Sequence, residues 1–381
     1  MRIGVDIRAL AGPICGGVGE YAYHLLGALT ALDCANDYHF YSNCFKRSKP
    51  DKLDLSGARI HYHRHRIPNA LNHFTIKFLV QPKLDALLRS DIFFAPNLNF
   101  LALRDYSRAV LTVHDLSFLR FREFFSKKQM AWHNSLGAAK LAGKVGKLVA
   151  VSENTKRDLV ELCGADAGKI TVIYSGINPI FVSAPADFLK EKAVRQRYNL
   201  PDRYILSLGT LEPRKNLTGL IEAYGIFRDK NKDLHGIKLV IAGSAGWKTG
   251  PIFSAREKSK YRNDIVMAGY VRPPDKPALY SQALLFAYPS FYEGFGFPPL
   301  EAMASGLPVV AGLNSSMSEI LGGAALLVNS ADSEELACAF RLLACEPGLR
   351  SRYVKLGAEK ASGFCWPDAA LKYLQLFNSL A

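Results

Sequence analysis

Short apolar runs alternate with helical patterns from residue 2 to residue 328, and that alternation leaves few folds open. RIGVDIRA, HFYSN, RIHYHRH, DIFFAPN, AVLTVHD, KLVAVS and ITVIYSG punctuate the first half; YILSLG, KLVIAG, IVMAGY, LLFAYPS, PVVAG and AALLV punctuate the second. Strands separated by helical stretches predict parallel sheets with helices on both faces. The second-half runs are apolar at consecutive positions, as strands buried on both sides must be. Between the runs, Val18 to Leu32 carries apolar residues at helical spacing, and Ser152 is placed to cap a helix from Glu153.

A chain of 381 residues is too long for one ordinary core and suits two domains. The irregular stretch through Gly176, Pro179, Ala184, Pro185 and Ala186 reads as the linker. The expected architecture is α/β: a doubly wound, Rossmann-like acceptor-side domain over 1–185 and a second, nucleotide-sugar-binding domain over 186–366. A closing helix follows in 367–381, from Asp368 to Leu380, and is expected to pack back on the first domain. Doubly wound sheets take ligands at the C-terminal ends of their strands, so two such edges facing a cleft suit a two-substrate reaction.

Composition narrows the classes further. With 49% hydrophobic and 22% charged residues the chain is of the folded, soluble type. MRIGVDIRAL has no long apolar core, so it reads as a strand and not as a signal peptide. No run approaches the roughly 18 apolar residues of a spanning helix. Seven scattered cysteines (Cys15, Cys34, Cys44, Cys163, Cys338, Cys345, Cys365) lack C-x-x-C spacing, which argues against a disulfide framework or structural zinc and for a reducing cytoplasm. The net charge of +14 is concentrated in residues 1–185, with 24 Lys and Arg against 15 Asp and Glu. Such an excess suits phosphate-bearing ligands or anionic lipid. Nucleic acid fits less well, since no recognition motif or unbroken basic helix occurs.

Four constellations carry chemistry. In PSFYEGFGFPPLEAMASGLP, Gly294 and Gly296 break a turn after a strand, and Pro298 and Pro299 preset the first turn of a short helix. Gly306 and Pro308 end that helix. A glycine turn running into a helix N-terminus aims amides and a positive dipole end at an anion, most plausibly a diphosphate. Glu293 and Glu301 flank the turn and suit hydroxyl groups, one of a sugar and one of a ribose. In GTLEPRKN, directly after YILSLG, Arg214 and Lys215 stand where paired cations would neutralise a diphosphate; alternatively they are a solvated pair opening a helix. Gly16-Gly17-Val18-Gly19 follows the first strand, but it lacks the G-x-G-x-x-G spacing and a ribose-binding acid after the second strand. Thr112-Val113-His114-Asp115 ends a strand on the ligand edge, where a histidine has site character. His61, His63 and His65 alternate along one strand face; with Arg64 and Arg66 between them they read as a solvated basic edge in preference to a metal site. No Asp-x-Asp occurs, so the usual metal-diphosphate bridge is missing.

Glu293 and Glu301 in E-x7-E spacing, with GTLEPRKN, YEGFGFPPLEAMASGLPVV and AALLV, resemble the retaining family-four glycosyltransferases of GT-B fold over essentially the whole chain. Bacterial mannosyltransferases that use GDP-mannose to build lipopolysaccharide O-antigen are the most similar group. The resemblance implies catalysis without metal or cofactor, with Glu293 on the transferred sugar and His114 lining its pocket. It implies donor binding by Gly17, by Arg214 and Lys215 on the diphosphate, by the amides of Gly294, Phe295 and Gly296, and by Glu301 on the ribose. It implies a lipid-linked glycan acceptor and a cytoplasmic place, with peripheral contact at the inner face of an anionic membrane. Many relatives carry an arginine where this chain has Thr210, so Arg214 is the residue expected to supply that charge. A UDP- or ADP-sugar donor stays open, with a dinucleotide oxidoreductase or a non-catalytic nucleotide-binding protein as remote alternatives.

Overall fold

A computed structural model describes residues 1–10, 16–43, 55, 59–182 and 188–380. Ala184, Pro185 and Ala186 of the expected linker, and Cys15 and Cys44, lie outside these residues. The chain forms two compact units. The first comprises Met1–Arg120, Lys128–Gly176 and Cys365–Ala381; the second comprises Phe121–Lys127 and Ile177–Phe364.

The first unit holds β1 (Arg2–Asp6), β2 (Asp37–Asn43), β3 (Ile60–His65), β4 (Ile92–Ala95), β5 (Ala109–Val113), β6 (Lys147–Ala150) and β7 (Ile170–Val172). They form one parallel sheet in the order β3-β2-β1-β4-β5-β6-β7. Every residue of β4 and β5 is buried, which is why these stretches carry no polar alternation. The edge strand β3 has no fully buried residue and carries four polar side chains, His61, His63, Arg64 and His65. Ser152 caps helix Glu153–Cys163 as the sequence predicts, its side chain accepting from the Thr155 amide at 3.1 Å. The last helix, Trp366–Asn378, begins two residues earlier than expected because Pro367 is accommodated in its first turn. It packs on helix Gly17–Leu32. At their contact the Tyr373 hydroxyl lies 2.6 Å from both the Tyr21 hydroxyl and Thr112 Oγ1, a buried chain of hydrogen bonds reaching β5.

The second unit holds β8 (Arg203–Leu208), β9 (Ile237–Ala242), β10 (Ile265–Gly269), β11 (Leu285–Tyr288), β12 (Val309–Gly312) and β13 (Leu326–Val328). All are parallel, in the order β10-β9-β8-β11-β12-β13. Its core joins Ile205, Leu239, Ile241 and Val310 of the sheet to Tyr224, Phe227 and Phe340 of the covering helices. Segment Phe121–Lys127 belongs here: Phe125 stacks on Trp247 at 5.7 Å, and Trp247 Nε1 donates to the Phe124 carbonyl at 2.8 Å. Nothing in the sequence pattern signals that grouping.

Strand order reverses between β1 and β4 in one unit and between β8 and β11 in the other. Such switch points are where open parallel sheets leave a crevice at their C-terminal edge. No helix among the described residues is long and apolar enough to cross a membrane.

Candidate functional site

GTLEPRKN leaves β8, and PSFYEGFG leaves β11, so strand adjacency brings both loops to the switch point of the second unit. There the Arg214 guanidinium donates from Nη1 to Glu293 Oε2 at 2.9 Å and to the Tyr292 carbonyl at 2.8 Å. Its Nε and Nη2 donate to Glu212 Oε1 at 3.0 and 2.7 Å. Lys215 Nζ donates to Glu293 Oε1 and to the Tyr288 hydroxyl, both at 2.6 Å, using two of its three N–H groups. Ser290 Oγ adds a 2.5 Å bond to Glu293 Oε1. Glu212 and Glu293 are both buried, which explains why each cation is compensated: unpaired charges would be costly there.

Burial alone would raise the Glu293 carboxyl, but Arg214 and Lys215, with the bonds from Lys215 and Ser290, outweigh it and hold the group at about 2. Burial lowers the Lys215 ammonium while Glu293 pulls it back up. Burial, then the Glu293 charge, push the Tyr288 phenol well above its usual range. Glu293 is therefore an ionised acceptor at any working pH. It cannot serve as a proton donor.

The glycine turn follows. Gly296 has φ 95°, a left-handed conformation that a side chain would strain, and the flexible end of Met317 occupies the space a Cβ would take. Ser315 Oγ accepts from the Glu293 amide at 2.9 Å, and Ser316 Oγ donates to the Glu293 carbonyl at 2.9 Å, fixing the turn from the far side. Helix Phe297–Ala304 starts after Gly296, and Gly306 follows its end at φ 74°, as predicted. Pro298 and Pro299 each lack an N–H, so this helix N-terminus offers its dipole but fewer amides than an ordinary one. The Phe295 side chain is buried, 5.2 Å from the Phe297 ring, and anchors the loop. Glu301, inside the helix, is held apart from this cluster by Lys276 Nζ at 3.1 and 3.3 Å and by the Tyr280 hydroxyl at 2.9 Å.

In the first unit His114 ends β5, half-buried, its Nε2 2.8 Å from the Pro96 carbonyl and its ring edge-on to Tyr21 at 4.5 Å. A carbonyl can only accept, so Nε2 carries the proton. Burial lowers the ring's pKa, which leaves Nδ1 as an acceptor on a neutral imidazole. Tyr21 is itself fixed by Tyr373, so the last helix supports His114 from behind. Gly17 lies exposed in the first turn of helix Gly17–Leu32.

Of the expected site residues, the structure thus joins Arg214, Lys215 and Glu293 directly, with Gly294, Phe295 and Gly296 adjoining and Glu301 apart, on Lys276 and Tyr280. His114 and Gly17 lie in the other unit. Glu212, Tyr288, Ser290, Lys276 and Tyr280 escape sequence reasoning, although Glu212 lies within GTLEPRKN and Tyr288 and Ser290 within LLFAYPS; only strand adjacency shows that they meet. The histidine run is also modified. His61, His63 and His65 do share a face of β3, but buried His39 of β2 joins them, stacking on His61 at 4.6 Å and sharing a 2.9 Å bond with His63.

The family described as Glycosyltransferase Family 4 matches residues 15–181, and that described as Glycosyl transferases group 1 matches residues 190–360. The chain is 30% identical over 289 residues to O-antigen chain mannosyltransferase B of Escherichia coli, covering 74% of this chain and 73% of that protein. It is 24% identical over 260 residues to the serotype-specific mannosyltransferase WbdA of Escherichia coli, covering 68% of this chain but only 31% of that longer protein. In fold it is similar to sucrose-phosphate synthase from Thermosynechococcus elongatus, at TM-score 0.76 and 19% identity over 100% of this chain and 99% of that one. It is likewise similar to Anabaena HepE in complex with UDP and glucose, at TM-score 0.75 and 18% identity over 100% of both chains. With its two Rossmann-like sheets of GT-B type, the chain belongs to the group 1, family-four glycosyltransferases.

Proposed function

We propose that this enzyme moves mannose from GDP-mannose to a lipid-linked glycan in O-antigen synthesis, with retention at the anomeric carbon. The observation that carries the reading is the cluster of half-buried Arg214 and Lys215 on buried Glu293 at a switch point, in a chain 30% identical to an O-antigen mannosyltransferase. In this reading Lys215 and Arg214 hold the diphosphate and stabilise the charge that grows as its bond to the sugar breaks. Arg214 takes over from the arginine that Thr210 replaces. The ionised Glu293 accepts from sugar hydroxyls and steadies the short-lived oxocarbenium-like centre. An acceptor hydroxyl attacks from the face the diphosphate leaves, and its proton passes to a departing phosphate oxygen. The turn amides of Gly294, Phe295 and Gly296 assist, and Glu301, shared with Lys276 and Tyr280, takes the ribose diol. His114 lines the sugar pocket through Nδ1, and Gly17 lets backbone approach the donor. No metal or cofactor enters this scheme.

The proposed place of action is the cytoplasmic face of a membrane. Phe74, Phe78 and Leu79 of the first unit are exposed together, with Lys77 over the Phe78 ring at 4.9 Å, an apolar and basic surface suited to anionic lipid. A second donor, a UDP-hexose, is favoured by the fold likeness to a protein solved with UDP and glucose. Purified enzyme with a mannosyl lipid acceptor, offered GDP-mannose or UDP-glucose, decides between them, and NMR of the product gives the anomer. Transfer from GDP-mannose with an α-linkage is expected. Turnover of UDP-glucose alone, or a β-linked product, overturns the reading.

A further inference from the structure

Helix Leu217–Lys230 buries Leu220, Tyr224 and Phe227 in the core of the second unit. Its other face forms one wall of a groove of about 700 Å³. That is the size of a ligand site. Thr218, Glu222, Gly225 and Asp229 follow one another along the helix at turn spacing, and Tyr261 and Phe291 provide aromatic rings beside them. None of Arg214, Lys215, Glu293 or Glu301 lines the groove, yet it begins in the same two loops: Asn216 follows Lys215, and Phe291 precedes Glu293 by two residues.

The groove's chemistry restricts its occupant. Asp229 accepts from the Tyr261 hydroxyl at 2.7 Å and pairs with Lys260, and Glu222 accepts from Ser333 Oγ at 3.1 Å. Lys258 lines the groove as well, so two carboxylates, Glu222 and Asp229, stand against two ammonium groups, Lys258 and Lys260, and the balance favours neither a phosphate nor a metal ion. What it offers is carboxylate and hydroxyl oxygens at intervals, beside aromatic faces. Those groups suit a ligand with many hydroxyls and apolar C–H faces, an uncharged saccharide. Gly225 adds an independent sign. A glycine inside a helix costs about 1 kcal/mol relative to alanine. A Cβ there would meet nothing within 4 Å, so packing does not demand the glycine; what its absent side chain leaves open is the groove.

We propose that this groove is a second carbohydrate site, which holds the part of the glycan acceptor remote from the reacting hydroxyl. The inference rests on the reading of the enzyme as one that extends a glycan. It makes the enzyme sensitive to acceptor length, since only a longer acceptor spans both places and gains the effective concentration of a two-point attachment.

The test is Gly225→Trp in the full chain, a change that fills the groove and raises helix propensity at that position. Initial rates with GDP-mannose are measured against soluble mannose oligosaccharides of increasing length, and calorimetry measures the same oligosaccharides without donor. For the wild type, acceptor KM falls with length. In Gly225→Trp the longest acceptor loses roughly tenfold, the worth of one or two hydrogen bonds, while donor KM and the rate with the shortest acceptor stay unchanged. A length dependence that survives Gly225→Trp overturns the groove and leaves the transferase reading intact. If no soluble oligosaccharide serves as acceptor, the mannosyl lipid acceptor judges the transferase reading, and calorimetry judges the groove: binding to the wild type that Gly225→Trp abolishes supports it, and absence of binding to either removes it.

Discussion

Replacing Glu293 by glutamine keeps the size of the side chain and removes the charge that Arg214 and Lys215 surround. The carboxyl is held at about 2 against an ordinary 4.5, which corresponds to about 3 kcal/mol in favour of the charged form in the folded protein. E293Q is expected to lose about that much stability at pH 7, at the low end of the ~3–5 kcal/mol typical of a broken buried pair. For a unit of this size each kcal/mol moves the melting midpoint by about 2–4 °C, so a drop of roughly 6–12 °C is expected. The pH dependence has a definite sign. A carboxyl with a lowered folded pKa stabilises above its unfolded value and ceases to as the pH falls through the folded one. The gap between wild type and E293Q is therefore full above pH 4.5 and closes toward about pH 2. In catalysis the same change removes a contact to developing charge, and kcat falls by about a hundredfold. Affinity for the free nucleoside diphosphate holds or improves, because two cations lose their counter-charge. Thermal melts across pH, steady-state kinetics and calorimetry with GDP check all three. Equal midpoints at pH 7, a gap indifferent to pH, or lost GDP affinity in folded E293Q would refute the reasoning.

Lys215→Ala is expected to weaken GDP binding by roughly tenfold to a hundredfold, since a charged hydrogen bond is worth about 1.5–3 kcal/mol; unchanged calorimetric affinity would remove Lys215 from the phosphate. Glu301→Ala should raise donor KM more than it lowers kcat, because the nucleoside does not change during transfer, and it leaves Lys276 without its carboxylate; kinetics showing a pure kcat loss would speak against the assignment. Acid should destabilise the first unit through its histidines: Arg2 Nε donates to His39 Nε2 at 3.2 Å, and burial with Arg2, His61 and His63 lowers His39 to about 4, with Asp37 opposing. The stability held by neutral His39 is full above its unfolded pKa near 6.5 and is lost as the pH falls toward 4, so melting midpoints should decline over that range less steeply in His39→Gln than in the wild type. Vesicle flotation should show binding to anionic but not neutral vesicles, and Phe78→Asp should abolish it; equal binding to both lipids, or to neither, would exclude the patch formed with Leu79.

By itself the sequence determined what depends on near neighbours. Apolar runs of strand length, spaced by helical patterns, were enough for the thirteen parallel strands found among the described residues, because periods of 2 and 3.6 residues are local properties of a backbone with one or two buried faces. The Ser152 cap and the Gly296–Pro298–Pro299 turn are local in the same sense, and they stand where the pattern put them. Tertiary structure decided which local pieces meet. Lys215 and Glu293 lie 78 residues apart, and their 2.6 Å contact exists only because β8 and β11 are neighbours across a switch in strand order. The same holds for Lys276 and Tyr280 on Glu301, for His39 beside the histidines of β3, and for segment Phe121–Lys127 in the second unit. Each is a pairing between elements that are individually unremarkable in pattern. Register and packing over the whole domain choose among many such pairings, and a window a few residues wide holds no record of that choice.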